Sequence, residues 1–115
     1  MSLRESRRLA LQAELEELLA DKVATLEDGS PAIYFQPPEK QKLKYPCLIY
    51  SYETDYFRHA DNKSYFKCPQ YELTVVDRNP DSDISDVIVG HFTYCRHNRQ
   101  FTADNLRHDV IGLYY

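Results

Sequence analysis

The clearest pattern of apolar and polar positions runs from residue 71 to residue 92. Its first half alternates with a period of two: Tyr71, Leu73 and Val75 occupy one face, and the intervening residues occupy the other. That period, in a segment rich in β-branched residues, predicts a strand. Asn79 and Pro80 then end the strand, because proline cannot donate to a ladder and suits the first turn of a helix.

A short amphipathic helix is predicted over residues 80–91. Ile84, Val87 and Ile88 have the i, i+3, i+4 spacing that places side chains on one helical face. The acids of this segment fall early, where the helix dipole favours negative charge: Asp81, Asp83 and Asp86. We therefore expect a core between strand and helix, formed by Leu73, Val75, Ile84, Val87 and Ile88.

A longer helix is predicted over residues 4–26, which contain no proline or glycine. Its apolar residues gather on one side of a helical wheel: Leu11, Leu15, Leu18, Leu19, Val23 and Leu26. Lys22 falls on this side and must extend its amine to the edge. Arg4, Arg7 and Arg8 precede the apolar stripe, either as a solvated helix end or as a contact for an acidic partner.

The remaining strands are predicted over residues 32–35, 46–53, 65–68, 93–103 and 108–115. Residues 46–53 are apolar on both faces, which favours a central strand or one partly covered by another subunit. Pro69 predicts a bulge or an edge. The element order α-β-β-β-α-β-β indicates an α+β fold, an antiparallel four- to five-stranded sheet packed by an N-terminal helix and a second short helix. We expect a single domain over residues 1–115, with the first helix in 1–26 and the sheet in 32–115.

Composition narrows the function classes. The 115-residue chain has a net charge of −4, which argues against general binding to a phosphate backbone. No apolar run approaches the length of about 20 residues that crosses a bilayer. The start of the chain has charges without an apolar region, so no secretory signal is expected. The three cysteines, an odd number, favour free thiols in a reducing compartment.

Few residues of the sequence suggest catalysis or metal binding. His91, Cys95 and His97 are close in sequence, but their spacing matches no structural zinc pattern. Asp104 and Asn105 are typical of a turn before the last strand. No glycine-rich phosphate loop and no local nucleophile–base pair are present. We therefore predict no catalytic, cofactor-binding or metal-binding residue, and expect a protein that is not an enzyme.

Three stretches follow one another along the chain and read YPCLIYSYE, YELTVVDRNPDSDISDVIV and FTADNLRHDVIGLYY. Their combination and order resemble small proteins of tailed bacteriophages and prophages. The resemblance spans roughly residues 11–115, and its most telling parts are residues 75–82, and 103–106 with 108–109. The resemblance is to head–tail morphogenesis proteins, of the tail-terminator or minor structural type. It implies a homo-oligomeric ring, commonly of six subunits, that ends the tail tube and meets the head connector.

The same resemblance leaves other roles open. A head-closure or neck component, or a minor capsid protein, is the nearest alternative. A small nucleic-acid-binding module is a different class, suggested by aromatic residues interleaved with basic ones around residues 56–59 and 65–67. The family implies a location in the bacterial host cytoplasm during assembly and then at the head–tail junction. It implies no membrane partner, and no specific nucleic acid is predicted.

A polar hairpin over residues 55–63 is the predicted site of assembly contacts. Aromatic and arginine side chains are enriched at protein interfaces, and charged residues form polar rims. The candidate interface residues are Tyr56, Phe57, Arg58, Asp61 and Lys63. The alternative is that the hairpin folds back and Phe57 joins the core of its own subunit.

Overall fold

The fold is α+β, as the element order predicts. The computed structural model describes residues 3–53 and 70–115. Its elements are α1 (Leu3–Leu19), β1 (Ile33–Phe35), β2 (Cys47–Tyr52), β3 (Gln70–Asp77), α2 (Ile84–His91), β4 (Cys95–Ala103) and β5 (Leu106–Tyr114). The five strands form one sheet in the order β1-β2-β3-β5-β4. The strand predicted over residues 65–68 lies outside the described residues.

The sheet is mixed, and the prediction of an antiparallel sheet is wrong for one pair. β1 and β2 run parallel, with Tyr34 opposite Ile49, whereas every other pair is antiparallel. Antiparallel neighbours can be joined by a tight turn, but parallel neighbours need a longer crossover. Residues 36–46 supply that crossover, and they contain three prolines and three lysines.

Helix α1 ends at Leu19, seven residues before its predicted end. The amides of Lys22 and Val23 still bond to the Leu19 carbonyl, at 2.9 and 3.1 Å. The chain then turns away, because Ala24 donates its N–H to the Pro46 carbonyl at 2.8 Å. Beyond that point it packs on the opposite face of the sheet. The apolar residues predicted as one stripe therefore pack on two opposite faces of the sheet, and a single straight helix could not reach both.

Helix α2 also differs from its prediction, beginning at Ile84 rather than at residue 80. The segment before it forms Asx turns. The Asn79 N–H donates to the Asp77 carboxylate at 3.0 Å, and the Asp81 N–H donates to the Asn79 side chain at 2.9 Å. Short polar side chains that satisfy backbone donors locally compete with helix formation. Four residues that could have begun the helix are used in turns instead.

Both helices lie on one face of the sheet, and the main core lies between them and the strands. The predicted core is confirmed: Leu73, Val75, Ile84 and Ile88 are buried there, and Val87 is half-buried against them. Helix α1 adds Leu11, Leu15, Leu19 and neighbouring Leu18, and β2 adds Leu48 and Tyr50.

The opposite face is covered only at the β1–β2–β3 end. A second apolar cluster lies there: Ala32, Tyr34, Cys47 and Val76, with the half-buried Ala24, Leu26, Leu43, Tyr45, Ile49 and Leu106 against it. The two apolar faces predicted for residues 46–53 are thus confirmed, with Cys47 and Leu48 on opposite sides. No described helix covers this face over β4 and the end of β5, and that half is where exposed aromatic side chains lie.

Candidate assembly surface

The surface begins with β4, which forms one edge of the sheet and is exposed along almost its whole length. The sequence predicted a strand over residues 93–103, and β4 runs from Cys95 to Ala103 with one irregularity. An edge strand presents unpaired backbone donors and acceptors that can pair with another chain. A nine-residue exposed edge is long for a small sheet.

A β-bulge in this strand decides which side chains share a face. The pairing with β5 shifts between His97 and Arg99, so Asn98 is the extra residue. Strand alternation alone would place Arg96 and Arg99 on opposite faces. The bulge restores the phase, so that Arg96, Arg99 and Phe101 all face away from the helices.

Gly112 on β5 makes room for the bulge. A Cβ atom at this position would lie 3.0 Å from the Asn98 side-chain nitrogen, a distance that forces Asn98 to shift. The Asn98 side chain therefore lies directly over Gly112, and its oxygen accepts a hydrogen bond from Arg96 Nε at 3.2 Å. Glycine within a strand often marks such a bulge or a close approach.

Aromatic side chains dominate the uncovered half of this face. Three of the four exposed large hydrophobic residues of the described chain lie here: Tyr94 is 71% exposed, Phe101 42% and Tyr114 40%. Phe101 stacks on His108 with ring centroids 4.7 Å apart and planes within 7°. We call the set Tyr94, Arg96, Arg99, Phe101 and Tyr114 the open face.

The arginines of the open face have no carboxylate partner among the described residues. Arg99 lies over the Phe101 ring, 5.7 Å from its centroid, and Arg96 bonds only to Asn98. Glu72 on β3 is two strands from Arg96, with Gly112 between them, which separates them by about 10 Å. A shallow groove lies on this face of the sheet. It is lined by Gln70, Tyr94, Arg96, Arg99, Gly112 and Tyr114.

A buried ion cluster holds the hairpin of β4 and β5 from the helix side. The Asp109 side chain is 1% exposed and accepts from Arg107 Nε at 3.0 Å, Arg107 Nη2 at 3.2 Å and His97 Nε2 at 3.0 Å. Arg107 also donates to the Gln100 side chain at 3.0 Å and to the Pro80 carbonyl. The cluster thus joins β4, β5 and the segment before α2, which fixes the geometry of the open face.

The hairpin turn itself is the one that the sequence predicted. Asp104 and Asn105 both have positive φ, at 54° and 63°, which is the conformation of a tight two-residue hairpin turn. Asn and Asp tolerate this left-handed region better than most residues. The turn explains Asp104 and Asn105, but not Asp109, whose role in the ion cluster the sequence does not reveal.

A second polar cluster joins the helices to the last residue of the sheet layer. Tyr115 donates its hydroxyl to Glu14 at 2.7 Å, and His91 Nε2 lies 2.7 Å from the other carboxylate oxygen. The Tyr115 hydrogen bond, with His91, lowers the pKa of Glu14. Burial, with Glu14, raises the pKa of Tyr115 to about 12. Arg7 donates to the Tyr115 backbone oxygen at 3.1 Å.

Two of the three arginines at the start of α1 make contacts within the subunit. Arg7 bonds to Tyr115, and Arg8 lies over the Phe35 ring, 4.5 Å from its centroid. Both are half-buried, so neither is simply a solvated helix end. The side chain of Arg4 is outside the described residues. Lys22 lies in the turn after α1 rather than on the helical wheel, and its amine reaches the Asp83 carboxylate at 3.9 Å.

The other residues singled out by the sequence are not brought together. His91 contacts Glu14, and His97 contacts Asp109. The Cys95 thiol points at carbonyl oxygens at the end of α2 and just after it, of which that of Phe92 is nearest at 3.4 Å. Within residues 3–53 and 70–115, no group of three or more His, Cys, Asp or Glu side chains is placed to hold a metal ion. Burial raises the pKa of the Cys47 thiol to about 12 and also raises that of Cys95.

The predicted hairpin of assembly contacts, with Tyr56, Phe57, Arg58, Asp61 and Lys63, lies outside the described residues. It remains a prediction. The open face is a separate candidate that the sequence did not single out, although YCRHNRQF already has the interleaved aromatic and basic residues of an interface.

No helix within the described ranges is long and apolar enough to cross a membrane. Comparison with known protein families, with curated proteins and with solved structures found no match.

Proposed function

We propose that this protein is a structural subunit of a tailed-bacteriophage or prophage particle. In this proposal it forms a ring that ends the tail tube and joins it to the head connector. One observation carries the proposal from the structural side: no described element covers half of one sheet face, with its edge strand, and this half displays three large aromatic side chains. Exposed apolar side chains that lie together on one surface can mark an interaction site.

The composition of the open face supports a protein partner. Tyrosine, phenylalanine and arginine are enriched at protein interfaces, and tyrosine and arginine are also enriched among the few residues that carry most of the binding energy. The set combines Tyr94, Phe101 and Tyr114 with Arg96 and Arg99. Because the Phe101 ring is stacked on His108, it is held in place before any partner arrives. A side chain already ordered loses less entropy on binding.

The rigidity of the surface also supports a structural role. On the helix side of the sheet, the contact between Asp109 and Arg107 holds the β4–β5 hairpin. On the open-face side, the Asn98 side chain of the bulge packs on Gly112. A subunit that sets the end of a tube needs surfaces of fixed geometry, whereas it needs no group that turns over a substrate. The proposal therefore assigns Asp109 to positioning the open face rather than to chemistry.

A location experiment tests the proposal. Particles induced from the prophage that encodes this chain would be purified, treated with gold-labelled antibody against it, and imaged by electron microscopy. Label at the junction between head and tail supports the proposal. Label on the capsid surface would favour the minor capsid role, and absence from particles that are otherwise complete would overturn a virion role.

A further inference from the structure

A stripe of exposed side chains on the outer side of α1 carries acidic residues, whereas the open face carries arginines. Leu9, Ala13, Glu17 and Asp21 are spaced four residues apart, which places them along one side of the helix and its following turn, and all four are exposed. Leu9 is the fourth exposed large hydrophobic residue of the described chain, at 40%. We call these four residues the helix stripe.

We infer that the open face of one subunit binds the helix stripe of a second copy of this chain. The inference rests on the proposed function, because it names the surfaces by which subunits of such a ring meet. The side chains of Glu17 and Asp21 make no hydrogen bond or ion pair with another described residue. The arginines of the open face make no ion pair with a described carboxylate. Each surface carries the charge that the other is missing.

The apolar parts of the two surfaces match in the same way. The helix stripe is apolar at Leu9 and Ala13 and acidic at Glu17 and Asp21, while the open face is aromatic at Phe101 and basic at Arg96 and Arg99. Leu9 and Glu17 are about 12 Å apart along the helix axis. Arg96 and Phe101 are about 15 Å apart along the strand. Contacts of similar length can therefore pair acid with arginine and Leu9 with an aromatic ring.

The positions of the two surfaces make the contact heterologous. The helix stripe faces outward from the layer of helices, near β1 and β2, where Arg8 contacts Phe35 and Gln12 accepts from the Tyr50 hydroxyl. The open face lies on the opposite side of the sheet, at the β4 edge. In a two-fold dimer, the open face and the helix stripe of one subunit would both have to contact the same partner. Because the two surfaces lie on opposite sides of the subunit, each subunit instead contacts one neighbour through its open face and another through its helix stripe. Such contacts form a ring when the rotation closes.

Nucleic acid is a less fitting occupant of the open face. The face offers two arginines, one ring surface of Phe101 is already stacked on His108, and Glu72 lies on the same side. The whole chain has a net charge of −4. Proteins that track a single strand use a positively charged groove with several free stacking platforms.

Charge reversal tests the inference by sedimentation. One variant carries Arg96→Glu and Arg99→Glu, and a second carries Glu17→Lys and Asp21→Lys. Each alone should weaken self-association by about a hundredfold, because like charges then face each other across the contact. A 1:1 mixture of the two variants should assemble again with alternating subunits, since every contact in it pairs opposite charges. The control Lys40→Glu, Lys42→Glu changes exposed lysines by the same charge and should assemble as the wild type does.

Three outcomes would overturn the inference. They are a wild-type protein that stays monomeric, variants that assemble as well as the control, and a mixture that does not recover although both variants keep their circular dichroism spectra. Binding of a labelled oligo-dT that Arg96→Glu, Arg99→Glu abolishes would assign the face to nucleic acid instead. If recovery in the mixture is seen but the gold label is absent from the head–tail junction, the interface stands and the proposed function fails. If the gold label lies at the head–tail junction but the charge-reversed variants assemble as the control does, the proposed function stands and the interface fails.

Discussion

The Asp109 carboxylate offers a direct test of how the open face is held in place. It is buried at 1% exposure and accepts three hydrogen bonds, two from Arg107 and one from His97. Asp109→Asn keeps the shape of the side chain, removes the charge, and turns an amide group toward donors that need an acceptor. We expect the variant to fold with a weaker β4–β5 hairpin.

The magnitude follows from what remains around Arg107. Breaking a buried ion pair by removing one partner costs about 3–5 kcal/mol, because a charge is left without compensation. Arg107 is 23% exposed and keeps acceptors at Gln100 and Pro80, so the loss should lie below that range, at about 2–3 kcal/mol. A fold of this kind has a total stability of about 5–15 kcal/mol, so the change is large enough to measure.

Urea unfolding followed by circular dichroism, at fixed protein concentration and pH 7, measures this loss. Glu39→Gln is the matched control, since Glu39 is exposed on the crossover and the change should stay within about 0.5 kcal/mol. Adding Arg107→Gln to Asp109→Asn completes a double-mutant cycle, in which the two losses should be far from additive. A loss below about 1 kcal/mol for Asp109→Asn, or additive losses, would refute the anchoring role.

Four further predictions follow from the core and the polar clusters. Val75→Asp should lower stability by about 3 kcal/mol or more, because Val75 is fully buried, and an unchanged thermal melt would show that the strand faces the other way. Tyr71→Phe should leave stability unchanged or raise it by up to about 1 kcal/mol, because its buried hydroxyl lies near Tyr52 but makes no hydrogen bond of normal geometry with a described residue; a clear loss in urea unfolding would contradict this. In a variant with the other two cysteines replaced by serine, Cys47 should react with a thiol reagent at pH 8 only after denaturation, because burial raises its pKa to about 12. Rapid reaction of the native protein would contradict this. The pKa of Tyr115 is raised from 10.0 to about 12, so its contribution to stability is complete below pH 10 and is lost as pH rises through 12; the wild type should lose stability relative to Tyr115→Phe across that window, and parallel curves would count against the raised pKa.

Much of the fold could be predicted because its signals are local. The alternation over residues 71–76 and the spacing of Ile84, Val87 and Ile88 depend only on near neighbours, and both packed as expected. The ends of the helices could not be predicted, because distant contacts decide them. Leu26 continues the apolar stripe of α1 on a helical wheel, yet it packs on the opposite face of the sheet.

The candidate surface was harder to predict for the same reason. The run from Cys95 to Ala103 has no clean alternation, since a bulge at Asn98 shifts its phase. The cause lies on another strand, where Gly112 leaves space for the Asn98 side chain. Asp109 reads as one more polar residue near a turn, and only the pairing of β4 with β5 brings His97 to it.

The length of tails made without this protein tests the central claim most directly. In the host of the proposed prophage, the gene would be deleted, particles induced, and free and attached tails measured by electron microscopy, with wild-type protein supplied in trans as the control. A ring that ends the tube predicts unattached tails with a broad, extended length distribution. Tails of normal length joined to heads would contradict the claim, and unattached tails of normal length beside intact heads would move the protein to head closure.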